Sequence, residues 1–287
     1  MSADPNNLPS PARGKGTLQR GIYVLPSLFT VGTLVCGYIA ALSTLQATVI
    51  ADMTYSRASF DVAARAIGWA ILFDGLDGRI ARMTNASSNF GREFDSLADV
   101  ITFGLAPAFL AFAWGVRPVV AGFLSDHLLR LGWIVTFAFV ICGAARLARF
   151  NIEKGSSGDR RYFIGLPIPG AAGVIAAVVH FYQSPVTETV YGLLWLATVG
   201  ALAFLMVSRV RYFSFKTLDL RRRRPYVTII LLGSIVGGIF AFSQIVLLTM
   251  ATVYMFSGPA GWLTGRLRPQ PPAPKVEGSH GPETHPA

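Results

Sequence analysis

The chain has 287 residues, of which 52% are hydrophobic and only 14% are charged, and its mean hydropathy is +0.49. This composition excludes a disordered chain and an ordinary soluble domain, and it indicates a membrane protein with several spans. The net charge of +10 gives no reason to expect a nucleic-acid partner, because basic loops lying against anionic lipid headgroups are the commoner cause in a membrane protein.

Several apolar stretches approach the roughly 20 residues that a helix needs to cross a bilayer. We place eight spans at residues 23–46, 59–83, 94–115, 129–149, 168–183, 187–208, 226–241 and 243–259. The fifth and the last two are short. The sequence therefore predicts an all-α integral membrane protein with about eight transmembrane helices. Pro167 and Pro169 are expected to shape the entry of the fifth helix.

The lysines and arginines predict the orientation of these helices, since cytoplasmic loops collect positive charge. If the N-terminus is inside, all but four of the basic residues fall at cytoplasmic ends, the exceptions being Arg57, Arg65, Arg117 and Arg130. Both termini are therefore expected in the cytoplasm. Residues 1–21 are interpreted as a flexible N-terminus and the Pro-rich residues 261–287 as a disordered tail.

Four aspartates stand in fixed register at the second and third predicted helices. The pattern is Asp74-x-x-Asp77-Gly78-x-x-Ala81-Arg82, then eight residues, then Gly91-x-x-x-Asp95-x-x-x-Asp99. Residues three or four apart share a face of a helix. The two helices can therefore present four carboxylates to one point near the cytoplasmic surface.

Carboxylates gathered in this way repel one another unless cations neutralise them, and ionisable groups are expensive within a membrane. Aspartate oxygens are hard ligands, so the pattern favours two divalent cations, Mg²⁺ or Mn²⁺, with Ca²⁺ as a further candidate. Two such ions suit the binding of a pyrophosphate and a displacement at phosphorus. Gly78 and Gly91 would let a nucleotide approach the backbone, and Arg82 could bind a phosphate with two hydrogen bonds.

This segment resembles the defining motif of the CDP-alcohol phosphotransferase family and matches it at every position. The resemblance implies a homodimeric membrane enzyme with a six-helix core that moves a phosphatidyl or related group from a CDP-linked donor to an alcohol. The implied metal ligands are Asp74, Asp77, Asp95 and Asp99, of which Asp99 is also the implied general base, and the implied donor-binding residues are Asp74, Gly78, Arg82 and Gly91.

Other segments resemble the branch of this family that uses CDP-diacylglycerol and L-serine as substrates. They are residues 25–30, 36–37, 95–108, 146–151, 163–169 and 208–216, so the likeness covers about residues 22–217. We assign 22–217 to the catalytic core and 218–260 to a basic loop with two additional helices. Gly32-Thr33 departs from the asparagine that this branch leads us to expect.

The carboxylate of serine needs a cationic partner. Five residues near the cytoplasmic surface could bind the acceptor: Arg146, Arg149, Asn151, Arg211 and Lys216. The alternative is that most of these charges lie at the headgroup level and hold the helices in their orientation.

Two other functions stay open at this point. An acceptor such as glycerol 3-phosphate or inositol phosphate would keep the family and change the product. A cation transporter would use the aspartates as an ion path, although acids in a transporter should spread across the depth of the bilayer. A covalent intermediate is not expected, because Ser96 faces away from Asp95 and Asp99 on a helix.

Overall fold

The computed structural model describes residues 16–50, 52–84, 89–119, 125–153, 162–213 and 225–267. In the first helix, the side chains are described from Leu28 onward. The helices and strands are α1 (Gly16–Val49), α2 (Met53–Thr84), α3 (Asn89–Asp99), a π-helix (Val100–Leu105), α4 (Ala106–Gly115), a 3-10 helix (Arg117–Val119), α5 (Ser125–Glu153), β1 (Tyr162–Ile164), α6 (Ile168–Tyr182), α7 (Thr189–Val207), β2 (Arg211–Phe213) and α8 (Pro225–Leu267).

The helices before α8 cross the bundle in six passes, of which α3, the π-helix and α4 together form one. We call the end at which α2 ends and α3 begins the near end, and the opposite end the far end. At the far end, Ser56 Oγ donates a hydrogen bond to the carbonyl of Ala47 and Arg117 donates one to the carbonyl of Thr48. These contacts join the start of α2, and the 3-10 helix that follows α4, to the end of α1. Helix α2 therefore runs antiparallel to α1, and α4 runs parallel to it.

Small residues form much of the buried surface between the helices. In lipid, helices associate by close packing rather than by a hydrophobic driving force, so small side chains that let backbones approach are favoured. The buried alanines on α2, α4 and α6 include Ala63, Ala64, Ala70, Ala106, Ala108, Ala111, Ala171, Ala172 and Ala176.

Helix α1 approaches the third pass closely at Gly37. A β-carbon there would lie 2.5 Å from Thr102 Oγ1 and 2.9 Å from its Cα, so only glycine fits. Thr102, in the π-helix, donates a hydrogen bond to the carbonyl of Thr33. The π-helix follows Asp99 directly, and π-turns inside α-helices occur frequently at functional sites.

The last helix, α8, contains both of the last two predicted spans. Its backbone is non-helical at Phe242, with φ −141° and ψ 53°, which is the residue between the predicted spans 226–241 and 243–259. A β-carbon on Gly238 would lie 3.4 Å from Val246 Cγ2, although residues eight apart in a straight helix are separated by about 12 Å. The helix therefore bends sharply at Phe242, and its second half packs on α6 with Tyr254 against Gly170.

The all-α membrane architecture is confirmed, with a correction to the spans. Five described helical segments are long and apolar enough to cross a membrane: Leu28–Val49, Phe90–Gly115, Asp126–Ile152, Thr189–Val207 and Val236–Leu263. The predicted second span does not qualify because α2 carries charges along its length, and α6 is a shorter apolar helix of 15 residues. Pro167 and Pro169 flank the first residue of α6, as expected.

A small two-stranded antiparallel sheet adds to the helices at the near end. β1 pairs with β2, placing Phe163 opposite Tyr212. Gly165 follows β1 with a φ of +80°, a conformation that favours glycine, and its N–H donates to the carbonyl of Val210. No strand was predicted at these residues, which lie outside the predicted spans, and each strand is only three residues long.

Candidate active site

Three aspartates from two helices meet at the near end of the bundle. Asp74 on α2 and Asp95 and Asp99 on α3 each offer a carboxylate oxygen, and these oxygens lie within 4.8 Å of one another. We call these three residues the carboxylate cluster. Asp99 is buried and the other two are half-buried. Oxygen atoms this close and this sheltered fit a hard divalent cation, which offsets their mutual repulsion.

Asp77, the fourth predicted ligand, lies one turn beyond Asp74 on α2 and outside the three-membered cluster. Its side chain is buried, and Thr30 Oγ1 on α1 donates a hydrogen bond to Asp77 Oδ2 at 2.5 Å. The structure therefore brings three of the four aspartates together and ties the fourth to the neighbouring helix. Thr30 was quoted in the sequence only as part of a similar segment and was given no role.

The predicted nucleotide-binding residues lie close in sequence to the residues of the carboxylate cluster. Gly78 is exposed, and a β-carbon at this position would meet no atom within 4 Å. Gly91 lies in the first turn of α3. Arg82 belongs to the last turn of α2, and its side chain lies outside the described part of the structure. The open space at Gly78 would accommodate a ligand that approaches the helix backbone.

A buried cation faces the cluster from α5. Arg146 is only 9% exposed, and within the described residues its Nε has no hydrogen-bond partner. Its guanidinium interacts electrostatically with Asp99 and with Tyr254 and lies 5.8 Å from the ring centroid of Phe150. A buried guanidinium with hydrogen-bonding capacity to spare is suited to an anionic group on a bound molecule.

The other four candidate acceptor-binding residues divide into two groups. Asn151 lies on the last turn of α5 and donates a hydrogen bond to Ser96 Oγ on α3 at 2.9 Å, and Arg149 is half-buried on the same helix. The side chain of Arg211 and the whole of Lys216 lie outside the described residues. Asn151 therefore contacts the residue that follows Asp95, but its amide is engaged in joining two helices.

The second half of α8 reaches the same region and was not assigned to it from the sequence. Tyr254 packs against Tyr212 of β2 with ring centroids 5.8 Å apart, and the Tyr212 hydroxyl donates to the carbonyl of Met255. Burial, and then the neighbouring Tyr254, raise the pKa of Tyr212 to about 12. The phenol therefore keeps its proton, and this hydrogen bond, at neutral pH.

A second polar group is buried toward the far end. His180 Nδ1 contacts the carboxylate of Asp61, Arg65 pairs with the same carboxylate, and His180 Nε2 lies 2.9 Å from Ser243 Oγ. Asp61 is thirteen residues before Asp74, or about 20 Å along α2. This group had no predicted role, and it joins α2, α6 and α8 away from the carboxylate cluster.

Comparison with known proteins agrees with this geometry. The CDP-alcohol phosphatidyltransferase family matches residues 23–207, and the chain belongs to this family. A CDP-diacylglycerol–serine O-phosphatidyltransferase of Helicobacter pylori (strain ATCC 700392 / 26695) is 37% identical over 201 residues, covering 68% of this chain and 74% of that protein. The protein of the same name from Bacillus subtilis (strain 168) is 34% identical over 192 residues, covering 67% and 91% of the two chains.

A third relative of that name, from Saccharomyces cerevisiae (strain ATCC 204508 / S288c), is 38% identical over 151 residues, which is 50% of this chain and 49% of that protein. The family match covers the six helical passes and ends with α7. The long helix α8 therefore lies beyond the family segment, although its Tyr254 interacts with Arg146 of the candidate site.

If the carboxylate cluster binds metal, Mn²⁺ should stabilise the folded protein, and Asp95→Asn should remove most of this effect. A ligand at a hundredfold its Kd adds about 2.7 kcal/mol to the free energy of unfolding, so the shift should be measurable by thermal unfolding in detergent with and without MnCl₂. Glu93→Gln is the matched control, because Glu93 is exposed on the same helix and should leave the shift intact. Equal stabilisation of wild type and Asp95→Asn would contradict the cluster as a metal site.

Proposed function

We propose that this chain transfers the phosphatidyl group from CDP-diacylglycerol to L-serine and releases CMP. The observation that carries the proposal is the placement of a buried arginine, Arg146, beside Asp99 of the carboxylate cluster. This arrangement puts a base and a site for an anionic acceptor in one place. The names of the similar proteins from three organisms support the same reaction.

The carboxylate cluster, with Asp77 beside it, would hold two divalent cations, and Mg²⁺ or Mn²⁺ suits its oxygen donors. When bound, such ions neutralise the charge of a pyrophosphate and the charge that develops on its oxygens. The open space at Gly78 would admit the nucleotide. We propose that Arg82 binds a phosphate oxygen, because it lies on α2 one turn beyond Gly78.

In the reaction that we propose, Asp99 accepts the proton of the serine hydroxyl. The serine oxygen then forms a bond to the phosphorus that carries diacylglycerol, while the bond from that phosphorus to the CMP oxygen breaks. The products are phosphatidylserine, CMP and a proton on Asp99 that returns to water. The buried position of Asp99 strengthens its electrostatic interactions with neighbouring charges.

Arg146 is assigned to the carboxylate of the acceptor. Its interaction with Asp99 places it close to the proposed base, and its Nε has spare donor capacity within the described structure. An arginine fork bound to a carboxylate fixes both position and orientation. Serine would then be held with its hydroxyl toward Asp99. Arg149, Arg211 and Lys216 remain candidates for a supporting charge.

A direct transfer is favoured over a covalent phosphatidyl-enzyme. The nearest serine in sequence is Ser96, whose hydroxyl donates a hydrogen bond to the carbonyl of Arg92 and accepts one from Asn151. The Ser96 hydroxyl is therefore engaged within α3 and with α5. A nucleophile would instead need a base within hydrogen-bond reach.

The alternatives fit the structure less well. A phosphate-bearing acceptor such as glycerol 3-phosphate calls for several cations in one pocket, whereas Arg146 is the one buried arginine beside Asp99 among the described residues. A transporter needs an ion path across the bilayer. The far-end carboxylate of Asp61 is already paired with Arg65 and His180.

We also propose that the site faces the cytoplasm and that the enzyme is a homodimer. The orientation rests on the basic residues at the near end, including Arg79, Arg92 and Arg209. Reagent accessibility of a cysteine introduced into residues 154–161, in right-side-out and inverted vesicles, tests the orientation. The mass of the detergent-solubilised protein tests the dimer.

CMP release from the purified protein with CDP-diacylglycerol and MnCl₂ should depend on L-serine. Glycerol 3-phosphate and inositol phosphate should not replace it. Asp99→Asn should lower the rate about a hundred- to ten-thousandfold, the contribution typical of a general base, and Glu93→Gln should not. Release with another alcohol would keep the family and overturn the acceptor, and no release with any alcohol would overturn the enzymatic function.

Arg146→Gln should raise the KM for L-serine about ten- to a hundredfold, because a hydrogen bond to a charged group contributes about 1.5–3 kcal/mol. The KM for CDP-diacylglycerol should change little, and Arg146→Lys should restore part of the affinity through its charge. Arg130→Gln, an exposed arginine at the other end of α5, is the matched control. A rise in the donor KM alone would reassign Arg146 to CDP-diacylglycerol.

A further inference from the structure

We propose that Thr30 is a positioning residue that orients the carboxylate of Asp77 for the divalent cations, an inference that rests on the metal site of the proposed function. Thr30 lies on α1, which carries none of the four aspartates of the motif. Its hydroxyl donates to Asp77 Oδ2 on α2, across 47 positions of sequence. The first helix would thus contribute to the metal site without a ligand of its own.

The burial of both partners makes this hydrogen bond important. Thr30 is 3% exposed and Asp77 is 6% exposed, so water has little access to either group. A carboxylate in such surroundings is costly unless it is hydrogen-bonded or paired with a cation. Thr30 is the donor that the structure gives to Asp77, which fixes one of its two oxygens.

The position of Asp77 relative to the carboxylate cluster gives the bond its proposed role. Asp74 and Asp77 lie three residues apart and share a face of α2, yet Asp77 is outside the set of mutually close oxygens. A bond to Oδ2 restricts rotation of the carboxylate and leaves Oδ1 unengaged by Thr30. Groups that orient metal ligands in this way typically contribute ten- to a hundredfold to metal affinity.

A purely structural tie between α1 and α2 would behave differently, and the chain offers a control for it. Thr44 is also buried on α1, but its hydroxyl bonds the carbonyl of Ala40 in the same helix. It lies fourteen residues from Thr30, or about 21 Å along the helix. Thr44→Val therefore removes a buried hydroxyl from α1 without touching the aspartates.

The test compares Thr30→Val, Thr30→Ser and Thr44→Val in the purified full-length protein. Mn²⁺ binding is measured by titration in detergent without nucleotide, and thermal unfolding is measured without metal. Thr30→Val should weaken Mn²⁺ binding about ten- to a hundredfold, Thr30→Ser should restore most of it, and Thr44→Val should bind as wild type does. Thr30→Ala replaces the valine variant if the latter does not fold.

A kinetic readout accompanies the binding measurement. In Thr30→Val, the Mn²⁺ concentration for half-maximal CMP release should rise while the KM for L-serine stays unchanged. Normal Mn²⁺ binding by Thr30→Val, or equal weakening in Thr44→Val, would overturn the positioning role alone. Failure of the wild type to bind Mn²⁺ would overturn the metal site of the proposed function, and this inference with it.

Discussion

The mutual repulsion of carboxylates at the near end of the bundle is the constraint on which the surrounding structure depends. Asp74, Asp95 and Asp99 place oxygens within 4.8 Å of one another at the meeting of two helices. Such an arrangement pushes its helices apart unless neighbouring elements hold them and opposite charges offset the repulsion. Helix α1 holds α2 through Thr30 and approaches the third pass at Gly37, while α5 brings Arg146 toward Asp99.

The π-helix after Asp99 also helps the bundle to accommodate the carboxylate cluster. One extra residue in a helical turn rotates the following helix by about 100° relative to the preceding one. Polar residues can then face the site in α3, while the residues of α4 pack into the bundle, where Ala106, Leu110 and Ala111 are buried. Thr102 anchors this change of register by donating to the carbonyl of Thr33.

The features that could be predicted from the sequence are those that depend on local patterns of residues. The spacing of the aspartates predicted that all four meet at one point, since helical periodicity fixes the face on which each residue lies. Asp74, Asp95 and Asp99 do meet, whereas Asp77 lies outside their cluster. The break between the last two spans was placed at Phe242, where the backbone is non-helical. Composition could not show how α2 accommodates the charge of Asp61, because the partners of this buried carboxylate include His180 on another helix.

Contacts between distant segments could not be predicted in the same way. Thr30 looks like any buried threonine of a membrane helix, and only the packing of α1 on α2 shows that its hydroxyl reaches Asp77. Tyr254 gave no signal because its neighbours Tyr212 and Gly170 come from other elements. The three-residue strands β1 and β2 were missed because their pairing, rather than their composition, defines them.

The bend in α8 matters for which stretches of the sequence surround Arg146. The helices that carry the aspartates lie within the family segment, whereas Tyr254 belongs to a helix beyond it and still interacts with Arg146. Arg146 itself lies within the family segment, so α8 adds only to the surroundings of this arginine. If Arg146 binds the acceptor as proposed, substitutions in the second half of α8 would alter the surroundings of the acceptor and leave the aspartates on α2 and α3 unchanged.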